Sequence, residues 1–234
     1  MSDVLGIDGL TAEAGLVHGF STLAHGSMRR PDGAPVVTPE RRAFAERLGV
    51  EAERLTTAGA VHGTRLAQVD EPAGGVPNVD GLLTDRPGLP LFATFGDCCP
   101  LVLYDSKRRA LALCHAGRRG TARGIATRAV EALRDAYGCQ PADLVVGIGP
   151  SVCQRCYEVD DEVAAQFDGA GLLPAGPGRW LLDVGEVNRS QFVAAGVRPE
   201  RIHRHAACTR ETPTLPSHRR DHDGRRFACV AALR

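Results

Sequence analysis

Three short segments set residues suited to metal or nucleophilic chemistry beside glycine or proline. They are AVHGT with His62, FGDCCP with Cys98 and Cys99, and CHAGRRG with His115. Each ends or breaks an apolar run that reads as a strand. A ligand at a strand end is held by a rigid sheet, and a neighbouring glycine lets a substrate approach the backbone. Two neutral imidazoles and one thiolate make a good donor set for Zn²⁺, and three protein ligands leave a fourth position open for water or substrate. An open site marks a catalytic ion, which can activate water or polarise an oxygen. The same residues permit a metal-free reading, with Cys98 as nucleophile and His115 as its base. They also permit copper, although a blue-copper site usually adds a Met ligand and the only methionines are Met1 and Met28.

Arginines cluster nearby. Arg118 and Arg119 follow the HAG segment directly and lead into a helical pattern, and a glycine-rich entry to a helix N-terminus is an anion cradle. Near the C-terminus, SHRRDHDGRR supplies Arg219 and Arg220. The planar guanidinium fork suits phosphate; the plain alternative is a solvated surface loop.

Eight cysteines are present. Cys114, Cys208 and Cys229 lie in apolar stretches and read as small buried hydrophobes. Cys153-x-x-Cys156 fits a redox pair or half of a structural zinc site, but no second CxxC completes a four-cysteine set, so a structural role is the plainer reading. The nucleobase deaminase pattern, H-x-E followed by P-C-x-x-C, is not met. His115-Ala116-Gly117 lacks the glutamate, and Pro150 is displaced from Cys153.

The elements that must position these residues are mostly short strands. Runs at 16–22, 60–70, 80–85, 89–95, 100–105, 109–116, 143–149, 201–208 and 226–233 have strand character, and helical patterns cover about 119–137, 158–168 and 182–195. Loops span 25–42, with Thr38-Pro39 opening a short helix, and 168–179. Many strands follow one another without an intervening helix. This predicts an α+β fold, mixed sheets packed in a sandwich with flanking helices. At 234 residues, the chain 1–234 is expected to be a single domain.

Apolar residues make up 43% and charged residues 24%, with zero formal net charge. That balance, without a basic tail, argues against a nucleic-acid binder held by bulk charge. No run approaches the ~18 to 20 apolar residues of a membrane helix, and the N-terminal stretch lacks a secretory pattern. A cytoplasmic location, no membrane partner and a monomeric state are the expectations.

A set of motifs running through most of the chain resembles the multicopper polyphenol oxidase, or laccase-domain, family, also known as YfiH-type purine nucleoside phosphorylases. The motifs are LVHGFST at 16–22, VHGT at 61–64, VDGLLTDRPGLPL at 79–91, GDCCPLVLYD at 96–105, CHAGRRGTARGI at 114–125, IGPSVCQRCYEV at 148–159 and CTRETPTLPSHRRD at 208–221. The resemblance implies a sandwich fold related to cysteine hydrolases. It puts the family's metal ligands on His62, Cys98 rather than Cys99, and His115, with zinc as the ion. It implies phosphorolysis of adenosine, inosine, guanosine and methylthioadenosine, and deamination of adenosine. Purine nucleosides and phosphate would then be the partners.

On that reading the arginines Arg118, Arg119, Arg219 and Arg220 would hold phosphate, and Asp97 or Asp80 would face positive charge on the sugar. A copper-dependent phenol oxidase and a metal-free Cys–His hydrolase acting on a cell-wall precursor are the competing readings. The chain departs from the family's usual residues at Ala60 (Gln), Arg118 (Trp) and Leu23 (Arg), and its S-L-N-L segment is not evident between 24 and 40.

Overall fold

The computed structural model describes residues 4–234. Two mixed sheets dominate. The first has five strands in the order Leu16–Phe20, Phe227–Leu233, Leu91–Phe95, Thr56–Gly59 and Gly75–Pro77. The second has six, in the order Ile202–Arg204, Val145–Ile148, Cys99–Asp105, Ala110–Ala116, Gly81–Thr84 and Leu66–Gln68.

Strand side chains alternate between faces, and this alternation sorts the core into layers. Val102, Tyr104, Leu111 and Leu113 of the six-stranded sheet meet Leu91, Ala93, Phe95, Phe227 and Cys229 of the five-stranded sheet. The opposite face of the six-stranded sheet carries Leu101, Leu103, Ala112 and Cys114 under Ile125, Ala129, Leu133 and Phe192. These last four belong to the helices Ile125–Tyr137 and Val184–Ala194. The outer face of the five-stranded sheet packs Phe92, Ala228 and Val230 against Phe44 and Ala45 of the helix Pro39–Arg47. The result is helix, sheet, sheet, helix. Central strands covered on both sides read as continuous apolar runs, and every residue of Cys99–Asp105, Ala110–Ala116 and Phe227–Leu233 is buried.

The α+β sandwich expected from the sequence is thus present, and most strand runs fall where expected. The strands Thr56–Gly59 and Gly75–Pro77 fall in no predicted run, and four predicted segments differ. The run 60–70 is not one strand: it holds a turn at His62, followed by Leu66–Gln68. The run 201–208 is a strand only over Ile202–Arg204. The pattern 119–137 is two helices, Arg118–Ala122 and Ile125–Tyr137, separated at Gly124, whose φ of 80° breaks the helix. The segments read as a helix at 158–168 and a loop at 168–179 instead contribute to a three-stranded sheet of Glu158–Asp160, Arg179–Leu182 and Leu172–Pro174, with helix only over Asp161–Ala164. Cross-strand pairing there outweighs local helix propensity. Among the described residues no helix is long and apolar enough to cross a membrane.

Candidate metal centre

Four neighbouring strands of the six-stranded sheet converge on one site. The strands Cys99–Asp105 and Ala110–Ala116 pair antiparallel with Pro100 opposite His115, so Cys98 and His115 share one end of the sheet. Gly81 pairs with Cys114 on the next strand, which sets Asp80 beside His115. Leu66 pairs with Gly81 on the edge strand, so the turn leading into it brings His62 to the same end.

The turn is built on Asp80. Its carboxylate, fully buried, accepts the backbone N–H groups of Val61 (3.2 Å), His62 (2.8 Å) and Gly63 (2.7 Å). The same carboxylate lies 3.3 Å from His115 Nδ1, and the Asp80 carbonyl accepts the His115 N–H at 2.7 Å. His62 has φ of 60°, in the left-handed region. That conformation costs ~1–2 kcal/mol for a residue other than glycine, whereas hydrogen bonds to a charged acceptor contribute ~1.5–3 kcal/mol each. Three such bonds outweigh the strain. Burial disfavours the Asp80 charge, but His115 and the Gly63 and Val61 N–H groups prevail and hold its carboxyl below the usual range. The stability it contributes is therefore complete above the unfolded value of ~3.9 and is lost as pH falls through the lower folded value. Asp80 is thus committed to the turn and to His115; it does not face a substrate.

His62, Cys98 and His115 offer donor atoms that all lie within 4.8 Å of one another. The two imidazoles meet edge to face at 4.9 Å between centroids. With its Nδ1 directed at Asp80, His115 presents Nε2 to the site, the arrangement that second-shell carboxylates impose on metal-binding histidines. Gly117 closes the other side: a Cβ there would stand 2.6 Å from the His62 ring and 3.2 Å from Cys98 Sγ. Burial works against a Cys98 thiolate, but His115 and His62 outweigh it and bring the thiol down to about 6. Burial likewise opposes charge on His115, yet Cys98 and Asp80 raise it to about 9. The donor set fits a borderline-soft divalent ion. Cys99 does not share in it. The strand alternation turns Cys99 into the helix-facing core beside Leu101, and burial pushes its thiol up to about 12.

The three residues line a cavity of about 420 Å³, whose wall also includes Ala60, Phe95, Asp97, Arg118, Tyr157, Arg219 and Arg226. The Arg219 guanidinium stacks 4.2 Å over the Tyr157 ring. Asp97 has φ of 144° and is held there by three bonds. Its Oδ1 accepts the Thr209 hydroxyl at 2.6 Å, its Oδ2 accepts the Arg219 N–H at 2.8 Å, and its carbonyl accepts the Val152 N–H at 3.0 Å.

Two of the expected phosphate arginines are elsewhere. Arg119 is exposed and outside this cavity. Arg220 turns into its own loop, donating to the carbonyls of Thr209 (2.8 Å) and Leu215 (2.6 Å) and pairing with Asp221. Its donors satisfy backbone acceptors rather than an anion. Leu23 is also absent from the cavity wall, whereas Ala60 and Arg118 are part of it. Tyr157, Arg226 and His218 line the cavity without having been singled out in the sequence. The three side chains are not themselves metal donors of the trio or nucleophiles, and only the folding of the 150–157 and 208–226 loops over the sheet end brings them in. Met28 lies in the core beneath the helix Pro39–Arg47 and belongs neither to the donor trio nor to the cavity wall. Met1 lies outside the described residues.

The family model described as multi-copper polyphenol oxidoreductase laccase matches residues 11–233. The chain belongs to this family. It is 37% identical to purine nucleoside phosphorylase SCO2081 of Streptomyces coelicolor, over 84% of this chain and 82% of that protein. It is 33% identical to adenosine deaminase RL5 of an unknown prokaryotic organism, over 76% of this chain and 74% of that protein. The crystal structure of YfiH from Bacillus licheniformis superposes with a TM-score of 0.85 at 30% identity, covering 94% of this chain and 93% of that one. The YfiH fold is thus the fold of this chain.

Three outcomes test the site. Cys98→Ser is expected to remove the ion held by the trio and Cys99→Ser to leave it, measured by elemental analysis of the purified variants; equal metal in both would reject the ligand set. In metal-free protein, Cys98 alkylation followed by peptide mass mapping should show a midpoint at about pH 6, against ~8.5 for a free thiol. Arg220→Ala should lower stability by ~1–3 kcal/mol, because buried carbonyls lose their donor. The loss is read as a lower midpoint of denaturant unfolding, with metal content unchanged.

Proposed function

We propose that the chain is a zinc-dependent purine nucleoside phosphorylase that also deaminates adenosine, acting as one catalytic domain in the cytoplasm. The observation that carries this reading is the donor trio of His62, Cys98 and His115 at the floor of a cavity rimmed by Arg118, Arg219 and Arg226. Relatives named purine nucleoside phosphorylase and adenosine deaminase support it. A volume of about 420 Å³ is in the range of small-molecule sites and suits a nucleoside.

Zinc bound by the trio would supply a Lewis acid and lower the pKa of bound water. The chain's own groups do the rest. The Arg118 and Arg219 guanidiniums bind phosphate and align one of its oxygens with the sugar C1′. As that oxygen bonds to C1′, the C1′–N9 bond breaks and its electron pair passes to the purine, which takes up a proton. Phe95 and Tyr157 offer apolar surface to the base and ribose. Asp97 is a positioning residue, since its carboxylate anchors the Arg219 backbone and Thr209. Asp80 orients His115 and shapes the His62 turn. In deamination, water adds to C6 of adenine and ammonia leaves.

One observation favours a second reading. The depressed Cys98 thiol beside the raised His115 forms a thiolate–imidazolium pair in the absence of metal, the arrangement of a Cys–His hydrolase. Copper as the ion, with phenol oxidation, rests on the family's description alone.

Incubating zinc-loaded protein with adenosine, with and without phosphate, separates these readings. Adenine and ribose 1-phosphate formed only with phosphate, inosine formed in either case, and both lost on chelation are the expected result. Turnover that survives chelation but not thiol alkylation would favour the hydrolase, and oxygen uptake with phenols only in copper-loaded protein would favour the oxidase.

A further inference from the structure

A second cluster of soft donors lies outside the trio. Cys153, Cys156, Cys208 and Glu211 offer one ligand atom each, and these four atoms lie within 4.8 Å of one another. Cys156 and Cys208 are buried, Cys153 is half-buried, and Glu211 stands at the surface. The cluster belongs to no step of the chemistry above.

Its geometry follows from the fold. The edge strand Ile202–Arg204 runs parallel to its neighbour Val145–Ile148, and a further bridge pairs Ser151 with Cys208, so the two segments leave the sheet side by side. Each then makes a tight turn. The first closes through the Cys156 N–H donating to the Cys153 carbonyl at 3.0 Å. The second closes through the N–H groups of Glu211 (3.2 Å) and Thr212 (2.9 Å) donating to the Cys208 carbonyl. Each turn therefore carries a donor pair three residues apart: Cys153-x-x-Cys156 on one and Cys208-x-x-Glu211 on the other. The Cys153 N–H donates to Cys208 Sγ at 3.3 Å, a bond that favours a thiolate there. Cys156 Sγ stands 3.4 Å from Glu211 Oε1, and Cys153 Sγ 3.8 Å from Oε2.

We propose that Cys153, Cys156, Cys208 and Glu211 form a second, structural zinc site, closed by four protein ligands and distinct from the open trio. Three thiolates and one carboxylate complete a tetrahedral shell for Zn²⁺ and leave no position for substrate, the mark of a structural ion. Four such ligands around Zn²⁺ carry a net charge of about −2. Arg155 pairs with Glu211, and Arg210 reaches the Cys156 carbonyl at 3.5 Å, so cations flank the excess charge. A carboxylate has about four acceptor sites, and its bonds to Arg155 leave room for the ion. Ligating carboxylates are commonly held by such outer partners.

The site would join the two loops that wall the catalytic cavity. Val152 and Tyr157 flank the first turn, and Thr209 and Arg219 tie the second loop to Asp97. The cluster carries no second CxxC because its other half is a Cys-x-x-Glu turn.

The test uses the full chain carrying His62→Ala and His115→Ala, which removes the trio, loaded with Co²⁺ under reducing conditions. The expected result is about one cobalt per chain with strong thiolate-to-cobalt charge-transfer absorption, lost when Cys153→Ser and Cys208→Ser are added. No retained cobalt, or absorption indifferent to loss of Cys208, would overturn the proposal. Because those variants could misfold, zinc-loaded wild-type protein provides an independent measurement. Cys153, Cys156 and Cys208 should resist alkylation until a chelator is added, and zinc should fall from about two to about one per chain in Cys208→Ser. Free alkylation of all three in zinc-loaded protein, or their recovery as a disulfide, would reject a zinc site.

Discussion

The site depends on the Asp80 carboxylate. It is a buried charge, and a buried charge is tolerated only when its acceptor capacity is filled. Here three consecutive backbone N–H groups and an imidazole fill it. Those four donors are the ones that must be fixed for His62 and His115 to face each other. The same interaction thus shapes the turn, orients one ring and sets the direction of its free nitrogen. Removing the carboxylate would leave the turn's N–H groups without acceptors and the left-handed His62 without compensation.

The sandwich supplies the rigidity behind this arrangement. Strands buried on both faces cannot slide, because a shift of one residue would exchange the side chains of the two faces and undo the packing in both layers. The ends of Cys99–Asp105, Ala110–Ala116 and Gly81–Thr84 are therefore fixed relative to one another, and Cys98, His115 and Asp80 with them. The register also separates the adjacent cysteines, one toward the cavity and one into the core.

Above the rigid floor, the cavity wall is made of loops. Asp97 holds an uncommon backbone conformation, of the kind that costs ~1–3 kcal/mol and persists only when its surroundings over-determine it. Bonds to Val152, Thr209 and Arg219 do so, and they join three chain segments at the cavity edge. Arg219 is held at both ends, by its N–H on Asp97 and by its guanidinium on Tyr157. A cationic rim over a thiolate and imidazole floor concentrates anions beside the donor trio, since clefts of one charge focus the field.

Residue chemistry and strand periodicity were readable directly. Apolar runs bounded by glycine and proline located the core strands, and metal-donor residues at strand ends in segments that also hold glycine or proline pointed to His62, Cys98 and His115. Those signals are local, with a period of two residues and a short bounded length. Which side of the strand Cys98 and Cys99 face, and that Asp80 supports the site rather than lining it, depend on pairing between strands up to 35 residues apart in sequence. The fate of the arginines was equally non-local: Arg118 and Arg219 border the cavity, while Arg220 satisfies its own loop. The sequence by itself determined the donor types and the layers that would carry them. The tertiary structure alone decided which donors meet, because hydrogen-bond register and loop closure act between residues that no sequence window contains.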